Sequence, residues 1–216
     1  MSEPEFTCLG VRADAQAASP TLTFRLRVSD PASEGVHAMA LRCQIRIEPR
    51  RRPYTPEESA LLTDLFGDSS RWGETQQPMQ FAQTSVMVPG FTGSTEVDMS
   101  VPCSYDLEVA AGKYFASLDT GDVPLLLLFS GTVFARTEFA RTSAGGLTVR
   151  MVPWHCEARC GLPVAVWREL MDLWFPGSGW LRLRRDTLRA LQLYKSTHGI
   201  ATWDETVDRL LKEASG

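Results

Sequence analysis

One short segment brings together the residue types that bind metals or carry out thiol chemistry. It holds His155, Cys156 and Cys160 within six residues. Imidazole and thiolate groups could supply three ligands, but a structural zinc site needs a fourth, and the usual zinc-knuckle spacings are missing. Coincidence is the simpler explanation of the cluster. We therefore keep a metal carrier or thiol redox protein as an alternative function and expect no bound metal.

The remaining cysteines point to a reduced compartment. Cys8, Cys43 and Cys103 lie in segments that alternate like strands, where a free cysteine behaves as a small apolar residue. Five cysteines is an odd number for a disulfide framework. The acidic N-terminus is unlike a secretory signal, and the longest apolar block, residues 123–129, is far shorter than the ~20 residues of a spanning helix. We expect a cytoplasmic protein with no membrane span.

Motifs for catalysis are incomplete wherever they are suggested. Ser130 precedes Gly131 but lacks the flanking pattern of a nucleophile elbow, and none of the three histidines has a supporting triad motif. The run at residues 90–95 resembles a phosphate loop, yet it has no lysine and leads into an alternating segment rather than a helix. We expect no catalytic residues and no cofactor, which favours a non-enzymatic function.

Charge and composition favour protein partners over nucleic acid. The 216 residues carry a formal net charge of −4 and are 44% apolar, so the chain is globular and has no basic excess. Two clusters combine arginine with aromatic residues, as protein–protein anchors do, although solvated salt bridges would explain the same residues. The predicted protein-binding residues are Arg50, Arg51, Arg52, Trp72, Phe91, Trp180, Arg182, Arg184 and Arg185.

Alternation of apolar and polar side chains predicts strands in the first two thirds of the chain. The pattern is clearest at residues 21–30 and 39–48, which we expect to pair as an antiparallel hairpin because a short polar loop joins them. The near-continuous apolar run at 123–135 is typical of a strand buried on both faces. Further strands are expected at about 81–89, 94–101 and 147–152.

Helix signals are rare before Pro153 and frequent after it. Thr55 and Glu58 have the spacing of a capping box and predict a helix at about 55–66. Residues 105–118 fit either a strand or a short helix. Three further helical patterns follow Pro153, and the last begins at a second capping box, Thr202 to Glu205.

These elements predict an α+β fold. We expect a mainly antiparallel β-sandwich, immunoglobulin-like or C2-like, at residues 1–153, with one inserted helix. Residues 154–216 would form a helical C-terminal cap packed on the sandwich. The helices are short, so each would depend on such packing for its stability.

Four distinctive strings carry a family resemblance: residues 42–49, 88–97, 124–134 and 175–180. Through them the chain resembles, over nearly its whole length, an uncharacterised actinobacterial family that is a domain of unknown function. The resemblance implies an accessory role in the assembly of uptake nickel–iron hydrogenases, because members are often encoded beside those genes. It implies no catalytic residues, and it implies that the histidine–cysteine cluster is not shared by the family.

The leading hypothesis is therefore a cytoplasmic, non-enzymatic accessory or protein-interaction module. Its partner would be another protein, and the resemblance implies a hydrogenase subunit or maturation factor. The metal carrier or thiol redox protein is one alternative. Another is a small-molecule-binding sandwich with a pocket between the sheet and the helical cap.

Overall fold

The computed structural model describes residues 3–31, 35–103, 105–136, 147–178 and 183–215. The chain divides into two compact units, Met1–Gly177 and Ser178–Gly216. The larger unit consists of two antiparallel sheets and several helices, which confirms the predicted α+β sandwich. The smaller unit contains two helices.

Three strands form the first sheet. β1 (Glu5–Ala13) pairs with β2 (Thr21–Asp30), and β2 pairs on its other side with β5 (Gly93–Pro102). The alternation seen in the sequence has the expected cause, because every second side chain of β2 is buried in the core. The fully buried apolar side chains of β2 are Leu22, Phe24, Leu26 and Val28.

Five strands form the second sheet, in which β4 (Met79–Phe91) pairs with β3 (Val36–Ile47) and β3 with β6 (Asp122–Arg136). The other edge of β6 has two neighbours. Its first half pairs with β8 (Glu157–Pro163) and its second half with β7 (Leu147–Met151). All these pairings are antiparallel. Because β6 pairs with three strands, β3, β7 and β8, it is the central strand of this sheet.

The predicted hairpin of residues 21–30 and 39–48 is wrong. The two segments are strands β2 and β3, but they belong to different sheets. Each has an apolar side facing inward, so they contribute to the same core from opposite layers. The loop between them crosses from one sheet to the other, and the alternation of side chains is the same in either arrangement.

Strand β6 is buried on one face only, which corrects the expectation that both its faces are buried. Leu125, Leu127 and Phe129 point into the core, whereas Leu126 and Leu128 on the opposite face are partly exposed. The outer face of the second sheet therefore carries apolar side chains that no layer of the sandwich covers.

Five helices belong to the larger unit: α1 (Pro56–Leu61), α2 (Thr63–Phe66), α3 (Trp72–Thr75), α4 (Tyr105–Ala116) and α5 (Val164–Trp174). The first of them confirms the predicted capping box, since the side chain and backbone of the N-cap threonine and the glutamate three residues later are joined reciprocally. The segment at residues 105–118, which the sequence fits to either a strand or a short helix, contains the helix α4.

The smaller unit is a helical hairpin of α6 (Arg185–Thr197) and α7 (Trp203–Ala214). The second predicted capping box is present at the start of α7. The change from strand to helix patterns predicts a division of the chain near residue 153. In the structure β8 and α5 lie beyond that point but belong to the larger unit, which ends at Gly177.

The core lies between the two sheets, and aromatic side chains from two helices extend it. Phe115 of α4 stacks on Trp167 of α5 with ring centroids 4.4 Å apart, and Phe81 of β4 contacts both rings. Large aromatic side chains bury much apolar surface, and stacked or edge-on rings add to that stabilisation. These contacts hold α4 and α5 on the sandwich.

Candidate interaction surface

The histidine–cysteine cluster does not form a metal site. The sulfur of Cys160 is bonded to Cys8, and the His155 Nε2 lies 2.6 Å from the Glu3 carboxylate at the surface. The Cys156 thiol is buried and donates to the Pro4 carbonyl oxygen, 3.5 Å away. In the described ranges no three histidine, cysteine or acidic side chains converge as metal ligands. The structure therefore gives the metal-carrier alternative no site.

These contacts instead fasten the first strand to the last. His155 to Glu3, Cys156 to Pro4 and Cys160 to Cys8 all join residues 152 positions apart. A constant separation means that the two segments run side by side in the same direction. The cluster is therefore a set of links between β1 and β8, which belong to different sheets. The interpretation of Cys8 as a free apolar residue is wrong.

Two of the remaining thiols, Cys43 and Cys156, are poor redox groups. Burial raises the pKa of the Cys43 thiol to about 12. Burial, together with the nearby Glu3 carboxylate, also raises the pKa of Cys156. The thiolate is the reactive species, so neither group favours the thiol redox alternative.

We expect the Cys8–Cys160 bond to stabilise the fold by about 2–4 kcal/mol, because it closes a long loop of the unfolded chain. A reductant should lower the melting temperature of the wild-type protein and raise the number of titratable thiols in the unfolded protein from three to five. The variant Cys8→Ser/Cys160→Ser is the control, since a reductant should leave its melting temperature unchanged. Equal sensitivity of both proteins would contradict the link.

The arginine cluster at residues 50–52 divides into exposed and buried members. Arg50 and Arg51 are exposed on a single 3-10 turn, and Arg51 pairs with Glu48 at 3.2 Å. Arg52 is buried and forms two hydrogen bonds to Glu58, of 2.9 and 2.8 Å. Because its side chain is buried, Arg52 is not available to a partner. The prediction that Arg52 belongs to a binding surface is corrected accordingly.

Glu58 is the centre of a buried polar network. Besides Arg52, it accepts hydrogen bonds from the backbone N–H groups of Asp119, at 2.8 Å, and Thr55, at 3.1 Å. Arg52 in turn donates to the carbonyl oxygen of Thr120. The network ties the start of α1 to the loop before β6, two segments about sixty residues apart in the chain.

The ion pair with Arg52 is the largest influence on Glu58 and lowers its pKa from 4.5 to about 2, against the opposing effect of burial. A carboxylate with a lowered folded-state pKa contributes stability above its unfolded value and loses it as the pH falls through the folded value. We expect the wild type to be more stable than Glu58→Gln above pH 4.5 and the difference to shrink towards pH 2. Thermal unfolding across this range measures it, with the exposed Glu57→Gln as control. A constant difference would contradict the assignment.

Trp72 has a structural environment beside this network. Its ring packs edge-on against Tyr54 and Phe66, with centroids 5.2 and 5.8 Å away, and its Nε1 donates to the Gly67 carbonyl. The Tyr54 hydroxyl lies 2.7 Å from that of Tyr114, which is fully buried. The half-buried Trp72 therefore covers an aromatic cluster that holds the inserted helices on the sandwich.

The other predicted binding residues belong to two different units of the chain. Phe91 is the last residue of β4 and is partly buried against the core. Arg184 and Arg185 are exposed at the start of α6, in the smaller unit. Trp180 and Arg182 lie outside the described residues. The structure therefore does not assemble the predicted residues into one surface within the larger unit.

The outer face of the three-stranded sheet is covered by ion pairs. Arg25 of β2 lies 3.2 Å from Glu96 and 3.0 Å from Asp98, both on β5. Arg27 reaches Glu96 at 2.9 Å, and Arg12 reaches Asp98 at 3.5 Å. These charges are exposed, opposite in sign across neighbouring strands and well solvated, as is typical of a face that remains in water.

The outer face of the five-stranded sheet is different at the end that contains β7. The register places Ala38 of β3 beside Pro89 and Phe134, and Phe134 beside Val149 of β7. A row of four side chains, one from each strand, therefore crosses the sheet. All four are apolar, and the two at its ends are exposed.

A second row runs beside the first. Ala40 lies between Met87 and Thr132, and Thr132 lies beside Met151 of β7. Met87 and Met151, at the two ends, are 63% and 71% exposed. We call the two rows together the apolar face. Towards β8 the same side of the sheet turns polar, with Gln80, Gln83, Arg42, Gln44, Arg46 and Arg159.

Strand β7 exposes its apolar side chains and turns its arginine inward, the opposite of an ordinary surface strand. Its apolar side chains Leu147, Val149 and Met151 are 49%, 60% and 71% exposed. On the opposite side Arg150 pairs with Asp30, whose side chain is fully buried. The polar side of this strand therefore faces the sandwich and the apolar side faces solvent. Trp154, just beyond the strand, is 89% exposed.

The helical hairpin also carries exposed apolar residues. Trp203, Val207 and Leu211 follow one another at intervals of four along α7 and are 42%, 42% and 60% exposed. Such spacing places them on one side of the helix. Within the hairpin Tyr194 of α6 donates to Glu213 of α7 at 3.1 Å.

Grooves on the larger unit are open and mixed in character. One of about 320 Å³ is lined by charged side chains such as Arg51, Arg159 and Asp122, beside Cys160. Another of about 490 Å³ lies along α5. Neither is the enclosed apolar cavity that the small-molecule alternative requires. None of the helices in the described ranges is both long and apolar enough to cross a membrane.

Comparison with solved structures found distant similarities. The solution structure of AT1g01470 from Arabidopsis thaliana is 12% identical, with a TM-score of 0.38 over 74% of this chain and 82% of that chain. That of the putative late embryogenesis abundant protein At2g46140.1 is 13% identical, with a TM-score of 0.30 over 74% and 71%. A β-glucosidase from Kluyveromyces marxianus is 6% identical, with a TM-score of 0.25 over 74% and 15%. Similarities this weak carry no argument about function.

Comparison at the level of sequence gave one family. Residues 1–216 match DUF6084, described as a family of unknown function. No curated protein matched the chain.

Proposed function

This chain belongs to the family DUF6084 over residues 1–216, and we propose that it is a non-enzymatic protein-interaction module that binds its partner through the apolar face. The observation that carries the proposal is the exposure of Met87, Val149 and Met151 at the two ends of the cross-strand rows. Soluble proteins seldom expose contiguous apolar surface of this kind unless it binds something.

The contrast between the two outer faces of one sandwich supports this choice. On the three-stranded sheet Arg25 and Arg27 are paired with carboxylates across neighbouring strands. On the five-stranded sheet the corresponding positions near β7 hold alanine, methionine, proline, phenylalanine and valine, with a single threonine, Thr132, among them. Folding requires neither face to be apolar, because both point away from the core. The difference is therefore better explained by binding than by stability.

The size and rim of the apolar face fit the centre of a protein interface. Four strands about 4.8 Å apart give the apolar face a width of roughly 15 Å, which suits the centre of an interface to which each partner usually contributes ~800 Å². Polar side chains such as Arg42 and Gln83 border it. An apolar centre with a polar rim is typical of protein–protein contacts, and flexible methionines at its ends can adapt to a partner.

The same proposal includes an accessory role in the cytoplasm. The family resemblance carried by residues 42–49, 88–97, 124–134 and 175–180 is its only support for a nickel–iron hydrogenase subunit or maturation factor as the partner.

The variant Met87→Glu tests the binding face. A charge buried in a dehydrated interface is costly. We therefore expect this variant to lose the proteins that the wild type captures from an extract of the native host. Thr7→Glu is the matched control, because this exposed residue of β1 lies opposite Arg27 on the charged face. It should capture the same proteins as the wild type, and mass spectrometry should identify a hydrogenase subunit or maturation factor among them.

Two results would count against the proposal. If Met87→Glu captured the same proteins as the wild type, the apolar face would not be the binding surface. An unaltered hydrogenase after deletion of the gene would remove the accessory role but leave the binding face intact.

A further inference from the structure

Strand β7 has a sheet edge that no other described strand covers. One side of β7 pairs with β6 through residues 132–136. In the described part of the chain no strand pairs with the other side. By contrast, the edges of β1 and β8 are fastened to one another by the Cys8–Cys160 bond and its neighbouring contacts. The edges of β4 and β5 also pair with no further described strand, but these two strands are joined by the hydrogen bond that the Thr84 hydroxyl donates to the Ser100 carbonyl oxygen at 2.9 Å. The edge of β7 has no such link and is therefore an edge at which this sandwich can accept another strand.

The register shows which backbone groups point outward. The Val152 N–H donates to the carbonyl oxygen of Gly131 at 2.9 Å, continuing the ladder with β6. In an antiparallel pair, alternate residues direct both backbone groups to the partner strand. Thr148 and Arg150 therefore face β6, and the N–H and C=O groups of Leu147, Val149 and Met151 point away from it.

Natural sheets protect such edges with charged side chains, prolines or bulges. β7 contains no proline, and its pairing with β6 has no bulge. Its one charged residue, Arg150, lies on the opposite side from the exposed apolar residues and pairs with Asp30 of its own chain. Prolines, bulges and charges on the exposed side, three of the devices against pairing, are therefore missing from β7, whose protection is limited to its short length and its inward-facing arginine.

We propose that β7 pairs with β7 of a second copy of this chain, antiparallel and about a two-fold axis at Val149. The two five-stranded sheets would then form one continuous sheet. The inference goes beyond the proposed function and does not rest on it, since it depends on the backbone edge and not on the binding of another protein to the apolar face.

The five residues of β7 are complementary to themselves in this register. The two-fold axis places Val149 opposite its copy, Leu147 opposite Met151 and Thr148 opposite Arg150. Apolar side chains therefore meet on one face, and no two like charges meet on the other. The charge of each arginine is already compensated by Asp30. A second copy thus satisfies the backbone groups, the side chains and the charges of this edge together.

Pairing would also extend the two rows of the apolar face. Val149 and Met151 end these rows at β7, and the copy would continue them with its own Met151, Val149 and Leu147. Edge-to-edge pairing of this kind is isologous, because each copy uses the same strand. The assembly therefore closes after two copies and does not form a filament.

The test is a disulfide that depends on register. A residue and its copy in a hydrogen-bonded antiparallel pair have Cα atoms about 5.5 Å apart, which suits a disulfide. We expect purified Val149→Cys to become a covalent dimer of doubled mass under mild oxidation. Leu147→Cys is the matched control and should stay monomeric, because the register separates the two copies of this residue by four positions along the strand. Background from other cross-links is low, since the cysteines outside the Cys8–Cys160 bond are buried.

A second variant tests the pairing without a cross-link. The N–H group of Val149 points outward, so proline there removes a donor to the copy and none to β6. By sedimentation, the wild type should associate to a dimer as its concentration rises, whereas Val149→Pro should remain a monomer with its fold retained by circular dichroism.

Several results would overturn the proposal. One is a wild type that stays monomeric at every concentration. Another is a Val149→Cys variant that dimerises no better than Leu147→Cys, or one that cross-links only to a different protein in host extract. Met87, on β4, is away from the edge, so Met87→Glu should dimerise normally even where it loses a partner. Failure of this inference is thereby distinguishable from failure of the proposed function.

Discussion

Replacing Arg52 by methionine is expected to destabilise the protein by about 3–5 kcal/mol, a large part of the stability of a typical domain. The substitution leaves the buried Glu58 carboxylate without the cation that holds its pKa near 2. Urea unfolding of the two proteins measures the difference. Arg51→Met, at an exposed position beside it, is the control and should change stability by less than about 1 kcal/mol.

A double variant separates loss of the charge pair from loss of packing. Glu58→Gln removes the uncompensated charge but keeps an oxygen that can accept from the Asp119 or Thr55 N–H groups. We expect Arg52→Met/Glu58→Gln to be more stable than Arg52→Met alone, since neutral groups are less costly to bury than a lone charge. A double variant less stable than both single variants would show that the ion pair is not the main contribution of Arg52.

Gly131→Ala is expected to destabilise the protein by about 4 kcal/mol, from steric overlap and backbone strain together. Gly131 lies in the middle of β6, where the strand changes partner from β8 to β7. Its φ of 149° favours glycine, and an added Cβ would lie 2.1 Å from the carbonyl oxygen of Ala40 on β3. The neighbouring strand would have to move.

Gly10→Ala provides a matched control for this substitution. Gly10 is also a strand residue, in β1, but an added Cβ there meets no atom within 4 Å. We expect thermal unfolding to show a change of less than about 1 kcal/mol for Gly10→Ala. Equal melting temperatures of Gly131→Ala and the wild type would show that β6 tolerates a side chain at its crossing point.

The apolar face shows why sequence patterns predict the position of a strand more reliably than which of its two sides faces solvent. Alternation at Leu147, Val149 and Met151 correctly predicted β7. It could not show that the apolar side of this strand faces solvent, because a period of two is the same for either orientation. Only the pairing of Arg150 with the buried Asp30, 120 positions away in the chain, decides the orientation.

The predicted arginine surface was incomplete for a related reason. Arg50, Arg51 and Arg52 are chemically alike and adjacent in sequence, yet only Arg52 is buried. Its burial depends on the carboxylate of Glu58 and on the loop at Thr120, which folding brings to it. Met87 and Trp154 were missed because a single exposed apolar residue has no recognisable sequence motif.

The local elements of this protein follow from interactions between residues that are close in sequence. Alternating side chains specified β2, β3 and β5, and the hydroxyl–carboxylate pairs at Thr55 and Thr202 specified the starts of two helices, because these effects act between residues a few positions apart. Tertiary structure alone decided that β2 and β3 join different sheets, that Cys8 meets Cys160 and that β7 exposes its apolar side. Each of these depends on contacts between distant segments, whose free energy exists only once both sheets have formed.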